Sequence, residues 1–459
     1  MINERSKKQI AVGLGVALML ALAAYFTVNA EMPVWANHIS GASVLLFAVP
    51  SFWATRRWLG WRDAISLWAI LGVAAVGIET VAVKTGFPYG HFQYSDALGF
   101  KLFGATPWPV FVAWTPFVLA AYSIAAGLLG QQNAVTDSRN VLYRIFTSAS
   151  FLVLLDLVLD PGAVGLGYWR YVDGGGLYGV PISNFLGWMV SGIIGIGLIE
   201  IFVRAKRPLL PVPAQLVSSA IFILVFWTFV SLFLLQLWVT ALGVAVVGVL
   251  TAFLLRYKYE FDEMIVLCDE GAIPTGTLSK TAGHHALTPR HLAFSVFAFN
   301  RCGELLIQRR ANSKRTWPGV WSNSCCGHVM LHEKPRAAVR RRLRFELGLG
   351  VDRLELILPN FRYRAEKDGM VENEICPVFV GVTDAAPRPN GDEVGSVRWV
   401  NWLRFVEEVR DPANGYSPWA REEVELLADN PDFRAFYSKI VRNVEIPYRF
   451  GRLGRDRGV

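Results

Sequence analysis

The chain has 459 residues, 53% of them hydrophobic and only 18% charged, with a formal net charge of +8. A mean hydropathy of +0.35 excludes one water-soluble domain of ordinary composition. The basic surplus does not mark a nucleic-acid binder, because the basic residues of the first half sit at the ends of apolar runs, where they orient membrane helices.

Eight apolar segments follow in order, at 10–29, 41–56, 63–83, 108–130, 144–160, 184–204, 214–236 and 238–256. Each is near the ~20 residues that a helix needs to cross the hydrocarbon. The second and fifth are short, and the last two nearly touch, so seven is the alternative count. The first has no clear cleavage site and reads as a retained span. Five basic groups fall on one side of an eight-span chain: Arg5 with Lys7 and Lys8; Arg56 with Arg57 and Arg62; Arg139 with Arg144; Arg204 with Lys206 and Arg207; and Arg256 with Lys258. The positive-inside rule makes that side cytoplasmic. The expected location is therefore the cell (inner) membrane, with the N-terminus and the C-terminal domain in the cytoplasm. Lys84, Lys101 and Arg170 fall on the other side.

Two long outer loops, 84–109 and 160–184, are rich in Gly, Pro and aromatic residues. Irregular backbone beside a membrane must be hydrogen-bonded within protein or line a cavity. Three acids accompany these loops. Glu79 lies inside span three, and Asp156 and Asp160 lie one helical turn apart near the end of span five. An acid within a membrane helix is a functional candidate by default. Asp160 also suits a solvated helix end, so Glu79 and Asp156 lead. The structural alternative is that the acids pair with Arg170 or loop amides and hold the loops.

Near Tyr257 the composition changes and charges become frequent. This predicts two domains: a polytopic α-helical membrane domain of about eight spans at 1–257, and a cytoplasmic α+β domain at 258–459. All five cysteines, Cys268, Cys302, Cys325, Cys326 and Cys376, lie in the second. An odd number in a cytosol-like domain points to reduced thiols. "HLAFSVFAFN" and "ELLIQRRA" predict a strand pair turning at Gly303. "EKPRAAVRRRLRFELGLG" predicts a helix with Ala338, Leu343 and Leu347 inward, ended by Gly348 or Gly350. "NEICPVFVGV" and "GSVRWVNW" read as strands. Ser417 and Pro418 open a further helix, with Ser417 as N-cap.

His284, His291 and His328 offer imidazoles, and Glu372 and Glu374 share one face of a strand. Together they suit a mixed N/O site for Mn²⁺, Mg²⁺ or Zn²⁺. Taken singly, each histidine also fits a structural role, and "ENE" fits a solvated edge. His285 competes with His284 as the ligand. Gly327, Glu333, Arg341, Glu346 and Gly348 keep the frame of a Nudix box, but Arg342 and Phe345 stand where glutamates are usual. Such a site holds a diphosphate better than it hydrolyses one.

"PTGTLSK", "RHLAFSVFAFN", "RRANSKRTWPGVWSNSCCGH", "FRYRAEKDGMVENEICPVF" and "YSPW" resemble type I isopentenyl-diphosphate isomerase, in collinear order over roughly 260–445. The resemblance implies Cys326 and Glu374 as catalytic residues, Tyr363 assisting proton delivery, and Cys325 as a packing residue. It implies a metal set of His284, His291, His328, Glu372 and Glu374, with Glu346 for a diphosphate-bound Mg²⁺. Lys280, Arg310 and Lys314 match its diphosphate contacts, and Trp419 would face an allylic cation. The substrates implied are isopentenyl and dimethylallyl diphosphate.

"ETVAVKTGFPYGHFQYSDALG" and "LDLVLDPGAVGLGYWRYVDGGGLYGVPISNFLGW" resemble the membrane carotenoid hydratases of the γ-carotene and bisanhydrobacterioruberin hydratase type, over roughly 40–255. That family adds water across the terminal double bond of an acyclic carotenoid end, within the bilayer and its lipids. Glu79, Asp156 and Asp160 are the candidate proton donors, chosen from burial logic. The joint expectation is a bifunctional isoprenoid enzyme. The alternatives are an isomerase whose membrane half is an anchor or partner-binding module, and a Nudix diphosphate hydrolase.

Overall fold

The computed structural model describes residues 4–30, 36–129, 140–258 and 263–440. Arg139 of the expected basic groups lies outside them. The chain forms two compact units, Met1–Glu260 and Phe261–Val459.

Among the described residues, the first unit holds eight long helices: α1 (Glu4–Asn29), α2 (Ala36–Leu59), α3 (Trp61–Thr85), α4 (Val110–Leu128), α5 (Val141–Gly165), α6 (Ile182–Lys206), α7 (Ser218–Phe233) and α8 (Leu237–Tyr257). Among the described residues, seven stretches are long and apolar enough to cross a membrane; α2 is the long helix left out. Its composition explains this, since it carries Pro50 and ends on Arg56 and Arg57. Helix α4 is the innermost, buried without a break from Trp114 to Gly127. It packs against α2, α3, α5 and α7.

Two expectations change here. Helix α5 runs on through Pro161 to Gly165, so Asp160 lies inside the helix and is buried, not solvated at an end. Arg144 is not a flanking topology charge. It is fully buried and makes a bidentate pair with Glu200 of α6, at 2.7 and 2.8 Å. Bidentate geometry is what makes a buried guanidinium tolerable.

The two long loops, 84–109 and 160–184, are less irregular than their composition suggests. Strand β1 (Phe92–Tyr94), from the first loop, pairs antiparallel with β4 (Trp169–Tyr171), from the second. Between them in sequence, β2 (Lys101–Leu102) pairs with β3 (Thr106–Pro107). The ladder pairs backbone groups that the loops would otherwise leave unsatisfied. Gly187 of α6 seats the first loop, because a Cβ there would lie 2.3 Å from the Tyr89 ring.

The second unit is built on an eleven-stranded sheet among the described residues. In chain order come β5 (Met264–Cys268), β6 (Pro274–Ser279), α9 (Lys280–Gly283), β7 (His291–Phe299), β8 (Glu304–Arg310), β9 (Trp321–Ser322), β10 (Cys325–His328) and α10 (Pro335–Leu347). Then follow β11 (Arg353–Leu358), β12 (Arg362–Lys367), β13 (Met370–Ile375), β14 (Val378–Val382), β15 (Val394–Asn401), α11 (Trp402–Arg410), α12 (Pro418–Asp429) and α13 (Pro431–Ile440). The expected β7–β8 hairpin forms, with Gly303 at φ 81°. Helix α10 ends at Gly348, at φ 64°, with Ala338, Leu343 and Leu347 fully buried.

Strand β7 is the hub. Its start pairs in parallel with β13, Glu374 opposite His291, and its middle pairs antiparallel with β10, Cys326 opposite Ser295. "NEICPVFVGV" was expected as one strand and is two. Pro377 has no N–H for the ladder, so the chain breaks at Cys376–Pro377 and resumes along β7 as β14, Val378 opposite Ser295. Side-chain alternation along β7 feeds two cores. Phe294 and Val296 pack with Cys325 and the inner face of α10. Ala293, Phe297 and Phe299 pack with Tyr363, Trp402 and Trp419 on the other face, against which Cys326 also lies.

Candidate functional site

His284 follows α9 directly, His291 opens β7, and His328 closes β10. Their ring centroids lie 5.0–5.2 Å apart, a triangle of imidazoles. Two of them are oriented by backbone carbonyls. His284 Nδ1 lies 2.9 Å from the Lys280 carbonyl, and His291 Nδ1 lies 2.9 Å from that of Pro289. A proton on Nδ1 leaves Nε2 with its lone pair. All three Nε2 atoms, with Glu372 Oε2, are buried and make no well-formed hydrogen bond; they face carboxylates instead, His284 Nε2 lying 3.1 Å from Glu372 Oε2. Donor atoms of His284, His291, His328 and Glu372 fall within 4.8 Å of one another. His285 is placed elsewhere: its Nδ1 accepts from the Leu287 amide.

Glu374 completes the ring of donors. Its Oε1 lies 3.4 Å from His291 Nε2 and 3.3 Å from His328 Nε2, while its Oε2 accepts from the Tyr363 hydroxyl at 2.8 Å. Burial opposes its ionisation, yet the two imidazoles hold its carboxyl well below the usual range. Burial is also the main reason that His328 is pushed down to about 3. Buried imidazole nitrogens and carboxylate oxygens converging on one point are the donor set that a divalent cation satisfies.

The cluster sits on one wall of a cleft of about 280 Å³. Cys326, Tyr363 and Trp419 line it too, as do Lys280, Arg310 and Lys314. Burial pushes the Cys326 thiol up, with the nearby Glu423 carboxyl adding to the effect. Cys325 lies on the opposite face of β10, fully buried beneath α10 and outside the cleft lining. Trp419 Nε1 donates to Ser322 Oγ at 2.9 Å. The Ser417 hydroxyl precedes α12 as expected but makes no cap; it lies 3.0 Å from Ser322 Oγ.

The basic end of the cleft is held in ion pairs. Lys314 pairs with Glu393, and Lys280 lies 3.3 Å from Glu263. Arg310 donates twice to the Thr316 carbonyl, at 3.2 and 3.0 Å. Glu346 stands apart from the imidazole cluster. Its carboxylate is taken by Arg342, four residues earlier on α10, and by Gln308 at 3.1 Å. Arg342 also reaches Glu393 at 3.3 Å. The one carboxylate kept at this point of the Nudix box is thus engaged by a guanidinium of the same helix. The sequence marked Arg342 only as a departure; its lining of the cleft is a structural finding.

The first unit has a cluster of its own. The Tyr94 hydroxyl donates to Glu79 Oε2 at 3.0 Å, and that of Tyr171 to Asp160 Oδ2 at 3.0 Å. Asn184, in the first turn of α6, donates through Nδ2 to Asp156 at 2.9 Å and to Asp160 at 2.6 Å. Asp156, Asp160 and Asn184 are 2% exposed or less, and Asp156 Oδ1 has no partner. Two acids sharing one amide donor in so dry a place are a functional candidate. Phe92, Tyr94, Trp169 and Tyr171 project from one face of the β1–β4 ladder and pack together, with Tyr94 and Tyr171 reaching the acids. The partners of the acids are thus tyrosines and an asparagine, and Arg170 is exposed. Tyr94, Tyr171 and Asn184 were not singled out in sequence, since only the loop pairing brings them to the acids.

Two family models match the chain: "Carotenoid biosynthesis protein" over residues 39–251 and "NUDIX domain" over residues 289–420. The isopentenyl-diphosphate Delta-isomerase of Saccharopolyspora erythraea is 48% identical over 168 residues, 36% of this chain and 87% of that protein. That of Kocuria rhizophila is 48% identical over 163 residues, 35% of this chain and 91% of the relative. Among solved structures, a MutT protein from Methanosarcina mazei is similar at 21% identity and a TM-score of 0.26, covering 30% of this chain and 91% of that one.

Proposed function

Since the chain belongs, through its second unit, to the isopentenyl-diphosphate Delta-isomerase family, we propose that this unit moves the double bond of isopentenyl diphosphate to give dimethylallyl diphosphate. The observation that carries the reading is the single cleft lined by the Cys326 thiol, the Glu374–Tyr363 pair and the Trp419 ring, with Lys280, Arg310 and Lys314 alongside. The reaction adds a proton to one carbon and removes one from a near neighbour, passing through a tertiary cation. It needs an acid and a base on two faces of a flat C5 unit. Glu374, backed by Tyr363, serves one face and Cys326 the other. Trp419 offers its π face to the cation without attacking it. Lys280, Arg310, Lys314 and Arg342 hold the diphosphate. A divalent ion, Mn²⁺, Mg²⁺ or Zn²⁺, would be held by His284, His291, His328, Glu372 and Glu374, and would supply Lewis acidity and fix the Glu374 carboxylate. A diphosphate-bound Mg²⁺ would draw on Glu346. The pairing of Glu346 with Arg342 argues against a diphosphate hydrolase.

For the first unit we propose hydration of the terminal double bond of an acyclic carotenoid end. The match to carotenoid biosynthesis proteins and the Asp156–Asp160–Asn184 group among aromatic rings support this. An unactivated alkene needs a strong acid in a dry site; water then captures the tertiary cation. Asp156 and Asp160, with Glu79 nearby, are the proton donors in this reading. The chain is then an inner-membrane enzyme with its second unit cytoplasmic, as the basic ends of α2, α6 and α8 favour.

The test uses the full chain in detergent with isopentenyl diphosphate. Interconversion of the two C5 diphosphates without phosphate release is expected. Phosphate release without isomer would overturn the isomerase reading.

A further inference from the structure

Behind the cleft lies a buried acid that the proposed chemistry does not use. Glu423 of α12 is fully buried, its Oε1 has no partner, and its Oε2 accepts the Ser295 hydroxyl at 2.9 Å. Burial pushes its carboxyl well above the usual range, against the Ser295 hydrogen bond, which pulls it down. Such an acid is costly to keep, so its neighbours matter.

Hydrogen-bond accounting gives the neighbours fixed directions. Asn323 Nδ2 donates to the Val296 carbonyl at 3.0 Å, which only an N–H can do. The same nitrogen donates to Ser295 Oγ at 2.7 Å. Ser295 thus accepts from Asn323 and gives its one proton to Glu423. Its oxygen also lies 3.5 Å from Cys326 Sγ, and toward the sulfur it has only a lone pair left. With Nδ2 committed, Asn323 Oδ1 must face the other way. There it accepts from Cys326 Sγ at 3.0 Å and from Ser322 Oγ at 2.7 Å.

We propose that Glu423 is a positioning residue for Cys326: by taking the Ser295 proton it fixes Ser295 and Asn323 so that the thiol hydrogen points at Asn323 Oδ1 and the sulfur faces the cleft in one orientation. Without that acceptor the Ser295 hydroxyl turns to the sulfur and competes for the lone pair that the reaction needs. The inference rests on the isomerase reading for its kinetic consequence, while the orientation of Cys326 is a property of the chain itself.

The experiment compares Glu423→Leu, Glu423→Gln and Ser295→Ala in the full chain. Glu423→Leu should lower kcat about tenfold with KM nearly unchanged, whereas Glu423→Gln, which keeps an acceptor oxygen, should recover most of the rate. Labelling by iodoacetamide, read at Cys326 by mass spectrometry with exposed Cys302 as internal control, should change in Glu423→Leu and Ser295→Ala alike, but not in Glu423→Gln. Equal labelling of Cys326 in all four chains would overturn the inference, and this arm needs no turnover. A fully active Glu423→Leu beside an inactive Cys326→Ala overturns it as well, and leaves the isomerase reading standing. If Glu423→Leu fails to fold, Ser295→Ala against wild type decides by the same labelling.

Discussion

The Tyr363 hydroxyl donates to one oxygen of Glu374 at 2.8 Å, while the other oxygen faces two imidazoles. The carboxylate is thereby divided between a proton-bearing side and a metal-facing side. Tyr363→Phe should remove only the first. The expected result is a loss of kcat of about 10²-fold, the lower end for one acid–base participant, with bound metal retained. Metal analysis of the purified variant beside its kinetics checks this.

The two cysteines should separate cleanly. Cys326→Ala is expected to abolish isomerisation. Cys325→Ala, on the buried face under α10, should keep the rate and cost about 1 kcal/mol of stability, the usual size for a small core change. Initial rates and denaturant unfolding of both variants decide the matter.

Removing a divalent ion should leave the three Nε2 atoms with only the Glu372 and Glu374 carboxylates to face, in contacts that are not well-formed hydrogen bonds. Chelation is expected to lower both activity and melting temperature, and metal return to restore them, since a ligand bound only by the folded form stabilises it by mass action. A chelated chain with full activity would rule out the metal assignment.

Arg342→Ala should be costly beyond its effect on substrate. It strands Glu346, which is 4% exposed, and deprives Glu393 of a second cation. Breaking one side of a buried pair costs about 3 kcal/mol, and chemical denaturation would measure it.

The buried Glu423 gives a pH signature. Its folded carboxyl is raised by burial, so its contribution to stability is complete at pH values below the unfolded carboxylate range. That contribution is lost as pH rises toward the folded value. Glu423→Gln cannot ionise, so its melting temperature should gain on wild type as pH rises from 5 to 8. A constant difference across that range would contradict the raised value.

For the first unit, expression in a host that makes lycopene should yield pigment heavier by one or two waters. Asp156→Asn and Asp160→Asn should stop that conversion while isomerase activity stays. Mass spectrometry of extracted pigments reads the result; an unchanged pigment in the wild-type host would favour an anchoring role.

The sequence made some of this legible and hid the rest for identifiable reasons. Spans, the β7–β8 hairpin and the α10 helix follow from periodicity and turn residues, which are local. The placing of His284 beside Glu372 could be expected from residue types and resemblance. Arg144 misled, because a basic residue at a span end looks the same whether it faces water or a buried Glu200 on another helix. Asp160 misled for a related reason: proline usually ends a helix, and α5 continues through Pro161. Tyr94, Tyr171 and Asn184 join the acids only through long-range pairing of loops, and Glu423 meets Ser295 across 128 positions of chain.

One strand measures both halves of the cleft chemistry. Cys326 is set opposite Ser295 and Glu374 opposite His291, all along β7. A slip of either partner strand by one residue would turn every side chain to the other face. There is therefore no graded, half-aligned version of this site: a misthreaded sheet loses thiol, carboxylate or imidazole outright. Enzyme activity in this chain doubles as a stringent assay of correct strand threading, and traces of turnover in a refolding experiment would count correctly threaded molecules rather than partial ones.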